Sequence, residues 1–179
     1  DPLRKEAAQV VEQLREAGLS KIVMMTGDSD RTAKAIAKRV GVDEYYSEVL
    51  PEDKANFVER EKQTGRKVIM IGDGINDSPA LSAADVGIAI SEGAEIAREV
   101  ADITVGADDL KEIVKLKRLS DALMQRIRRN YRIIVGFNTG LIVCGVTGVL
   151  PPTTSALLHN TSTLVIGLQS MKNLLDESE

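Results

Sequence analysis

Lys67-Val68-Ile69-Met70-Ile71-Gly72-Asp73-Gly74-Ile75-Asn76-Asp77 is the stretch on which the reading of this sequence turns. Its first five residues form an apolar run of the kind found in a buried strand. Its last six interleave glycines with carboxylates and an amide. Gly72 and Gly74 let the backbone turn sharply and approach a ligand closely. Asp73, Asn76 and Asp77 supply oxygen atoms, the ligands that Mg2+ prefers, and Mg2+ held in this way usually serves a phosphate. Ile75 stands where a calcium-binding EF-hand loop needs Asp or Asn, so that alternative is excluded.

The sequence on either side alternates helix and strand signals. Leu3, Ala7, Val10, Val11 and Leu14 fall on one helical face, closed by Gly18. Lys21 to Met25 reads as a short strand, followed by Thr26-Gly27-Asp28 and a helix that runs through Arg39 and ends at Gly41. Pro51-Glu52-Asp53-Lys54 opens another helix, with Pro and acids in its first turn. After the strand at Val68 to Ile71 come a helix across Pro79 to Ala83, a strand Val86 to Ile90, a helix Ala94 to Val100 and a strand Ile103 to Val105. This rhythm predicts an α/β, Rossmann-like parallel sheet covered on both faces. Ligands of such sheets bind beyond the carboxyl ends of the strands, so the Thr26-Gly27-Asp28 and Gly72-Asp73-Gly74 loops are expected to converge.

Composition sharpens the division. The 179 residues are 43% hydrophobic and 28% charged with a net charge of −4, which argues against a nucleic-acid partner. Yet from Tyr131 to Leu150 only Arg132 is charged, and Pro151 to Met171 carries no Asp, Glu, Lys or Arg. A helix from about Asp109, whose spacing to Glu112 fits a capping box, leads into the first of these runs. That run approaches the roughly 20 residues needed to cross a bilayer. Pro151-Pro152 breaks it before a second apolar segment from Ala156 to Met171. Arg126, Arg128, Arg129 and Arg132 precede the pair and Lys172 follows it, which predicts a transmembrane hairpin with both ends in the cytoplasm. The competing reading is a buried hairpin of an all-helical lobe. The lone cysteine, Cys144, excludes an internal disulfide. The charged opening predicts no signal peptide, and the missing initial methionine predicts a fragment.

Taken in order, Asp1-Pro2-Leu3-Arg4, Thr26-Gly27-Asp28, Lys54 and Gly72-Asp73-Gly74-Ile75-Asn76-Asp77-Ser78-Pro79-Ala80-Leu81 resemble the phosphorylation domain of P-type cation-transporting ATPases, within the haloacid dehalogenase-like superfamily. The resemblance implies that Asp73 ligates Mg2+, with Asn76 and Asp77 ordering its surroundings. Lys54 would hold phosphoryl oxygens, and Thr26, Gly27 and Asp28 would meet the phosphorylated site. ATP would be bound mainly by a nucleotide domain this sequence lacks. The family's nucleophile lies in a DKTGT sequence, also absent here. A chain ending in two apolar segments resembles the heavy-metal branch, in which Asn138, Cys144, His159 and Asn160 would face the transported ion. His159 stands where copper pumps have Met, and imidazole suits Zn2+, Ni2+, Fe2+ or Co2+.

The implied organisation is a partial phosphorylation domain over 1–108, a connecting helix over 109–130 and a membrane hairpin over 131–175. The implied setting is a bacterial plasma membrane with the phosphorylation domain cytoplasmic, and the implied partners are lipid, a transition-metal cation and the remainder of the ATPase chain. Two alternatives remain open: a stand-alone phosphatase using Asp28 and Asp30 of Asp28-Ser29-Asp30-Arg31-Thr32, and a non-catalytic membrane-anchored fragment.

Overall fold

A computed structural model describes residues 6–72, 75–90, 99–106 and 110–174. These fall into two compact units that divide between Lys115 and Leu116.

In the first unit the order is α1 (Ala7–Glu16), β1 (Val23–Met25), α2 (Asp30–Val40), β2 (Glu44–Tyr46), α3 (Pro51–Gln63), β3 (Ile69–Gly72), a single 3-10 turn (Ile75–Asp77), α4 (Ser78–Ala83), β4 (Val86–Ile90) and β5 (Ile103–Val105). Local chemistry sets the helix ends. Gly18, at φ +94°, closes α1, with its N–H and that of Leu19 reaching back to Arg15 and Leu14. Gly41, at φ +82°, ends α2 through a bond to the Ala37 carbonyl. Pro51 begins α3, where its missing N–H costs nothing. The helix expected over Ala94 to Val100 falls largely outside the described residues.

Every strand pair is parallel, as the alternating pattern predicts, but the strands form two sheets. One is β1-β2 and the other β3-β4-β5. The single sheet expected from sequence is therefore corrected: β1 and β3 do not pair, and each keeps one side without a strand among the described residues. β2 is an addition, a mostly exposed Glu-Tyr-Tyr strand with no apolar run to announce it.

Register is fixed by the same device three times. The residue before β2, β4 and β5 is an aspartate whose carboxylate accepts an N–H from the adjoining strand segment. Asp43 takes Ile22 N–H at 2.7 Å, Asp85 takes Val68 N–H at 3.0 Å and Asp102 takes Gly87 N–H at 2.8 Å. Cations complete two of these clamps, with Arg15 on Asp43 and Lys67 on Asp85, each at 2.8 to 2.9 Å. The core beneath gathers Val58 of α3, Met70 of β3 and Ala80 and Leu81 of α4, with Met25, Val68 and Val100 against it. At Gly87 an added Cβ would lie 2.7 Å from the Leu81 carbonyl oxygen, so α4 rests on the bare backbone of β4.

The second unit holds most of α5 (Lys111–Val146) and all of α6 (Pro152–Ser170). Arg126 donates to the carbonyls of Ser170, Lys172 and Asn173, capping the end of α6, and Asn130 donates to Ser170 Oγ at 2.7 Å. The two helices thus run antiparallel, as a hairpin. The expected spans need correction. No helix among the described residues is long and apolar enough to cross a membrane. α5 stops at Val146 rather than Leu150 because Gly148, at φ +74°, turns the chain, with Val149 N–H reaching back to Cys144 O. α6 is diluted by its own Thr, Ser, Asn and His residues. Both helices nevertheless expose apolar side chains, including Ile142, Val143, Val146, Leu157, Leu164 and Leu168.

The clamps carry a pH signature. The Arg15 guanidinium, then the Ile22 N–H, hold the Asp43 carboxyl below the ordinary aspartate value, and Lys67 with the Val68 N–H does the same for Asp85. A depressed folded value stabilises above the unfolded pKa, about 3.9, and the gain is lost as pH falls through the folded value. Thermal melts between pH 7 and pH 3 are expected to hold a plateau above about pH 5 and fall below about pH 4. Asp43→Asn with Asp85→Asn keeps an acceptor oxygen but removes the charge, and should lower the plateau and flatten the acid limb. An unchanged acid limb in the double variant would refute the clamp assignment.

Candidate functional site

The carboxyl end of β3 brings together two of the residues singled out by sequence. β3 delivers the chain into the 3-10 turn that ends at Asp77, and the first turn of α3 carries Lys54 towards it. Lys54 Nζ donates to Asp77 Oδ1 at 2.7 Å, with both side chains largely buried. An ion pair between residues 23 positions apart, shielded from water, fixes α3 against the loop. Gly72 makes the arrangement possible: a Cβ there would lie 2.6 Å from Asp77 Cβ and 2.9 Å from its Oδ2. The glycine thus serves close approach, as its place in the motif suggests.

Asn76 is exposed beside this pair. Asp73, the residue expected to ligate Mg2+, lies outside the described residues. The donors that are described fit a hard cation with a phosphate in kind: a buried carboxylate, an ammonium and an exposed amide around one loop. Ser78 Oγ, next in the chain, is buried without a hydrogen-bond partner among the described residues, a polar atom that a bound water or ion would satisfy.

The other loop is organised around itself. Thr26 Oγ1 donates to Asp28 Oδ2 at 3.0 Å and accepts the Asp28 N–H at 3.1 Å. Its backbone is tied to the segment after β2: Thr26 N–H bonds Tyr46 O, Val49 N–H bonds Thr26 O and Glu48 N–H bonds Asp28 O. Glu48 adopts φ +54°, an unfavourable conformation for a residue with a Cβ, and sequence reasoning gave no sign of it. Gly27 faces open space. Asp30 does not stand free as an acid: its Oδ1 accepts from the Tyr45 hydroxyl at 3.2 Å and Ser47 Oγ at 3.4 Å. Desolvation and the adjacent Asp30 carboxylate raise the Tyr45 phenol above its ordinary pKa. Among the described residues no hydrogen bond or ion pair joins the Thr26–Asp28 loop to Lys54 and Asp77.

In the hairpin, His159 Nδ1 and Asn138 Oδ1 meet at 2.8 Å across the two helices. The other two expected ion-facing residues are not brought to them. Cys144 lies six positions beyond Asn138, about 9 Å along the axis and about 120° around it. Asn160 is exposed beside His159 and makes no hydrogen bond among the described residues. No group of three His, Cys, Asp or Glu placed to hold a metal occurs among the described residues.

A parallel α/β unit with a lysine and a buried aspartate at a strand's carboxyl end defines a class, and comparison supplies its description: residues 1–85 match a haloacid dehalogenase-like hydrolase family. The relatives narrow it. The chain is 40% identical over 173 residues to a manganese-exporting P-type ATPase of Mycobacterium leprae and, at the same identity, to a zinc-exporting P-type ATPase of Mycobacterium marinum, covering 96% of this chain and 24% of each relative. It is 45% identical over 158 residues to copper-transporting ATPase 2 of Rhizobium meliloti, covering 88% of this chain and 19% of that protein. A crystal structure of a zinc-transporting PIB-type ATPase in its E2.Pi state superposes with a TM-score of 0.90 at 34% identity, over 98% of this chain and 28% of that one. Residues 1–85 are thus similar to haloacid dehalogenase-like hydrolases, and most of the chain is similar to part of each of these metal-transporting P-type ATPases. The chain spans about a quarter of the length of the mycobacterial relatives it matches.

Substituting Gly72→Ala forces its Cβ into the Asp77 side chain and should cost about 1–3 kcal/mol in urea unfolding, the range for overpacking. Gly27→Ala, with no atom within 4 Å of the added carbon, is the control and should cost less. Equal losses for the two would refute the close-approach role of Gly72.

Proposed function

We propose that this chain is the C-terminal part of an ATP-driven transition-metal transporter that works through an aspartyl-phosphate. The observation that carries the reading is the Lys54–Asp77 ion pair behind Gly72, at the carboxyl end of a parallel strand. A buried ammonium beside a carboxylate loop is suited to phosphoryl oxygens, whose charge grows in the transition state. Asp77 holds Lys54 in place, so the cation is positioned before any phosphate arrives. Mg2+, with Asp73 and Asp77 as its protein ligands, would supply further positive charge to those oxygens. Thr26, Gly27 and Asp28 form a self-tied loop that would meet the phosphorylated residue from the next strand.

The nucleophile and the nucleotide site belong to the remainder of the ATPase chain. That β1 and β3 each lack a strand on one side among the described residues supports this division, because these strands lead into the two loops. A strand supplied between them would carry a nucleophile to both loops and complete the hydrogen bonding of both edges. The phosphatase alternative is disfavoured by Asp30, whose carboxylate is engaged by Tyr45 and Ser47.

For the hairpin, the reading is insertion in a bacterial plasma membrane beside other helices of the same protein, with the phosphorylation domain cytoplasmic. The exposed apolar side chains of both helices support it, since surface of that kind is costly in water. So does Arg126, which caps α6 at the end flanked by Arg128, Arg129 and Arg132. Asn138 and His159, polar and paired, would face the interior where the cation passes. The three relatives are named for manganese, zinc and copper, so overall identity does not select the cargo. The imidazole favours a borderline divalent ion.

Asp73→Asn in the full-length protein is expected to abolish phosphoenzyme formation from labelled ATP while leaving the thermal midpoint near that of the parent. Near-normal labelling at ordinary Mg2+ would overturn the assignment. The 179-residue chain alone should show no turnover of aryl phosphates, and turnover that disappears in Asp28→Asn would favour the phosphatase. The same chain should need detergent or lipid to remain dispersed, and a monomeric, detergent-free solution would overturn membrane insertion.

A further inference from the structure

The hydrogen bond between His159 and Asn138 assigns unequal roles to two residues that sequence alone treats as equivalent. Asn138 Oδ1 is a carbonyl oxygen and can only accept, so the 2.8 Å contact places the proton on His159 Nδ1. In the neutral tautomer that matches this contact the lone pair sits on Nε2, which makes no hydrogen bond among the described residues. The neighbouring hydroxyls turn back on their own helix: Ser162 and Thr163 donate to His159 O, and Thr161 donates to Leu157 O. Of the polar side chains from His159 to Thr163, the imidazole is thus the one with a hydrogen bond across to α5 among the described residues.

We propose that Asn138 is a positioning residue for His159: its carbonyl holds Nδ1–H and so presents Nε2 as the atom that meets the transported divalent cation. This rests on the reading of the chain as part of a metal transporter. A metal-binding histidine almost always donates its other ring N–H to an oxygen, which fixes the tautomer and the ring's orientation. Asn138 supplies that oxygen from the facing helix, so the ligand is aligned only when α5 and α6 are in this register. An Asn138 oxygen occupied by an N–H is correspondingly less available to the cation itself.

The test uses the full-length protein in lipid nanodiscs with 15N-labelled histidine. Long-range proton–nitrogen correlation reads which ring nitrogen is protonated, with the His159 signal assigned by its loss in His159→Gln. Co2+ alone, titrated against each variant, reads affinity. The parent should show the proton on Nδ1. Asn138→Leu, close in size but without an acceptor, should lose that preference and weaken Co2+ binding by about 10- to 100-fold. Asn138→Asp, which still accepts the N–H, should recover most of the affinity. Labelling by inorganic phosphate checks that each variant is folded.

A parent protonated on Nε2 overturns the proposal without any variant. So does Asn138→Leu that weakens Co2+ binding while the proton stays on Nδ1, the result expected if Asn138 is itself a ligand. Unchanged affinity in Asn138→Leu overturns it as well. In each of these cases, Co2+ binding that is lost in His159→Gln leaves the transport reading standing. Unchanged Co2+ affinity and unchanged metal-stimulated ATPase activity in His159→Gln would remove that reading and the proposal together.

Discussion

Asp77 lies against the backbone of Gly72 at a separation that no side chain at position 72 could share. That contact sets where the loop after β3 turns. It brings the carboxylate within 2.7 Å of Lys54, and the ion pair then binds the first turn of α3 to the end of the sheet. Once α3 is held there, Val58 meets Met70 and Leu81, and the core closes beneath the site. A charged pair with little water around it is stabilising only if both partners stay in place. Here the glycine keeps Asp77 in place and the packing of α3 does the same for Lys54.

The sheets around this centre depend on a second kind of constraint. Three aspartates, each immediately before a strand, accept an N–H from the adjoining strand segment and so set register at the end of the sheet opposite the site. Parallel strands this short have few ladder bonds of their own, and charge-assisted bonds at their starts compensate. Anchoring aspartates therefore sit at the amino ends of the strands, and the Lys54–Asp77 pair and the Thr26–Asp28 loop at the carboxyl ends. The same separation lets β1 and β3, each without a strand on one side among the described residues, keep their alignment.

In the helical unit the side-chain hydrogen bonds that link α5 to α6 or its end come, among the described residues, from Arg126, Asn130 and the Asn138–His159 pair. Arg126 and Asn130 hold the end of α6, and Asn138 and His159 join the middle of the hairpin. Such bonds are well matched to surfaces that are otherwise apolar, where unpaired polar groups are expensive.

Much of this was written in the residues themselves. The strands Val86–Ile90 and Ile103–Val105, the glycine stops at Gly18 and Gly41 and the proline start at Pro51 follow from periodicity and local backbone chemistry, which neighbouring residues determine. The close approach of Gly72 was legible for the same reason, since the motif that calls for it is contiguous. Other features had no local signal. β2 lacks an apolar run, and the α5 terminus at Val146 depends on which of several glycines turns left-handed. The division into two sheets depends on what lies beside β1 and β3, which the strand patterns do not encode. Lys54 and Asp77, Asp30 and Tyr45, and Asn138 and His159 are each far enough apart in sequence that only folding decides whether they meet. The residues themselves thus set which groups were on hand, and tertiary packing decided which carboxylate would face a lysine, which a phenol, and which amide an imidazole would meet, because those outcomes are distances across the fold rather than properties of any segment.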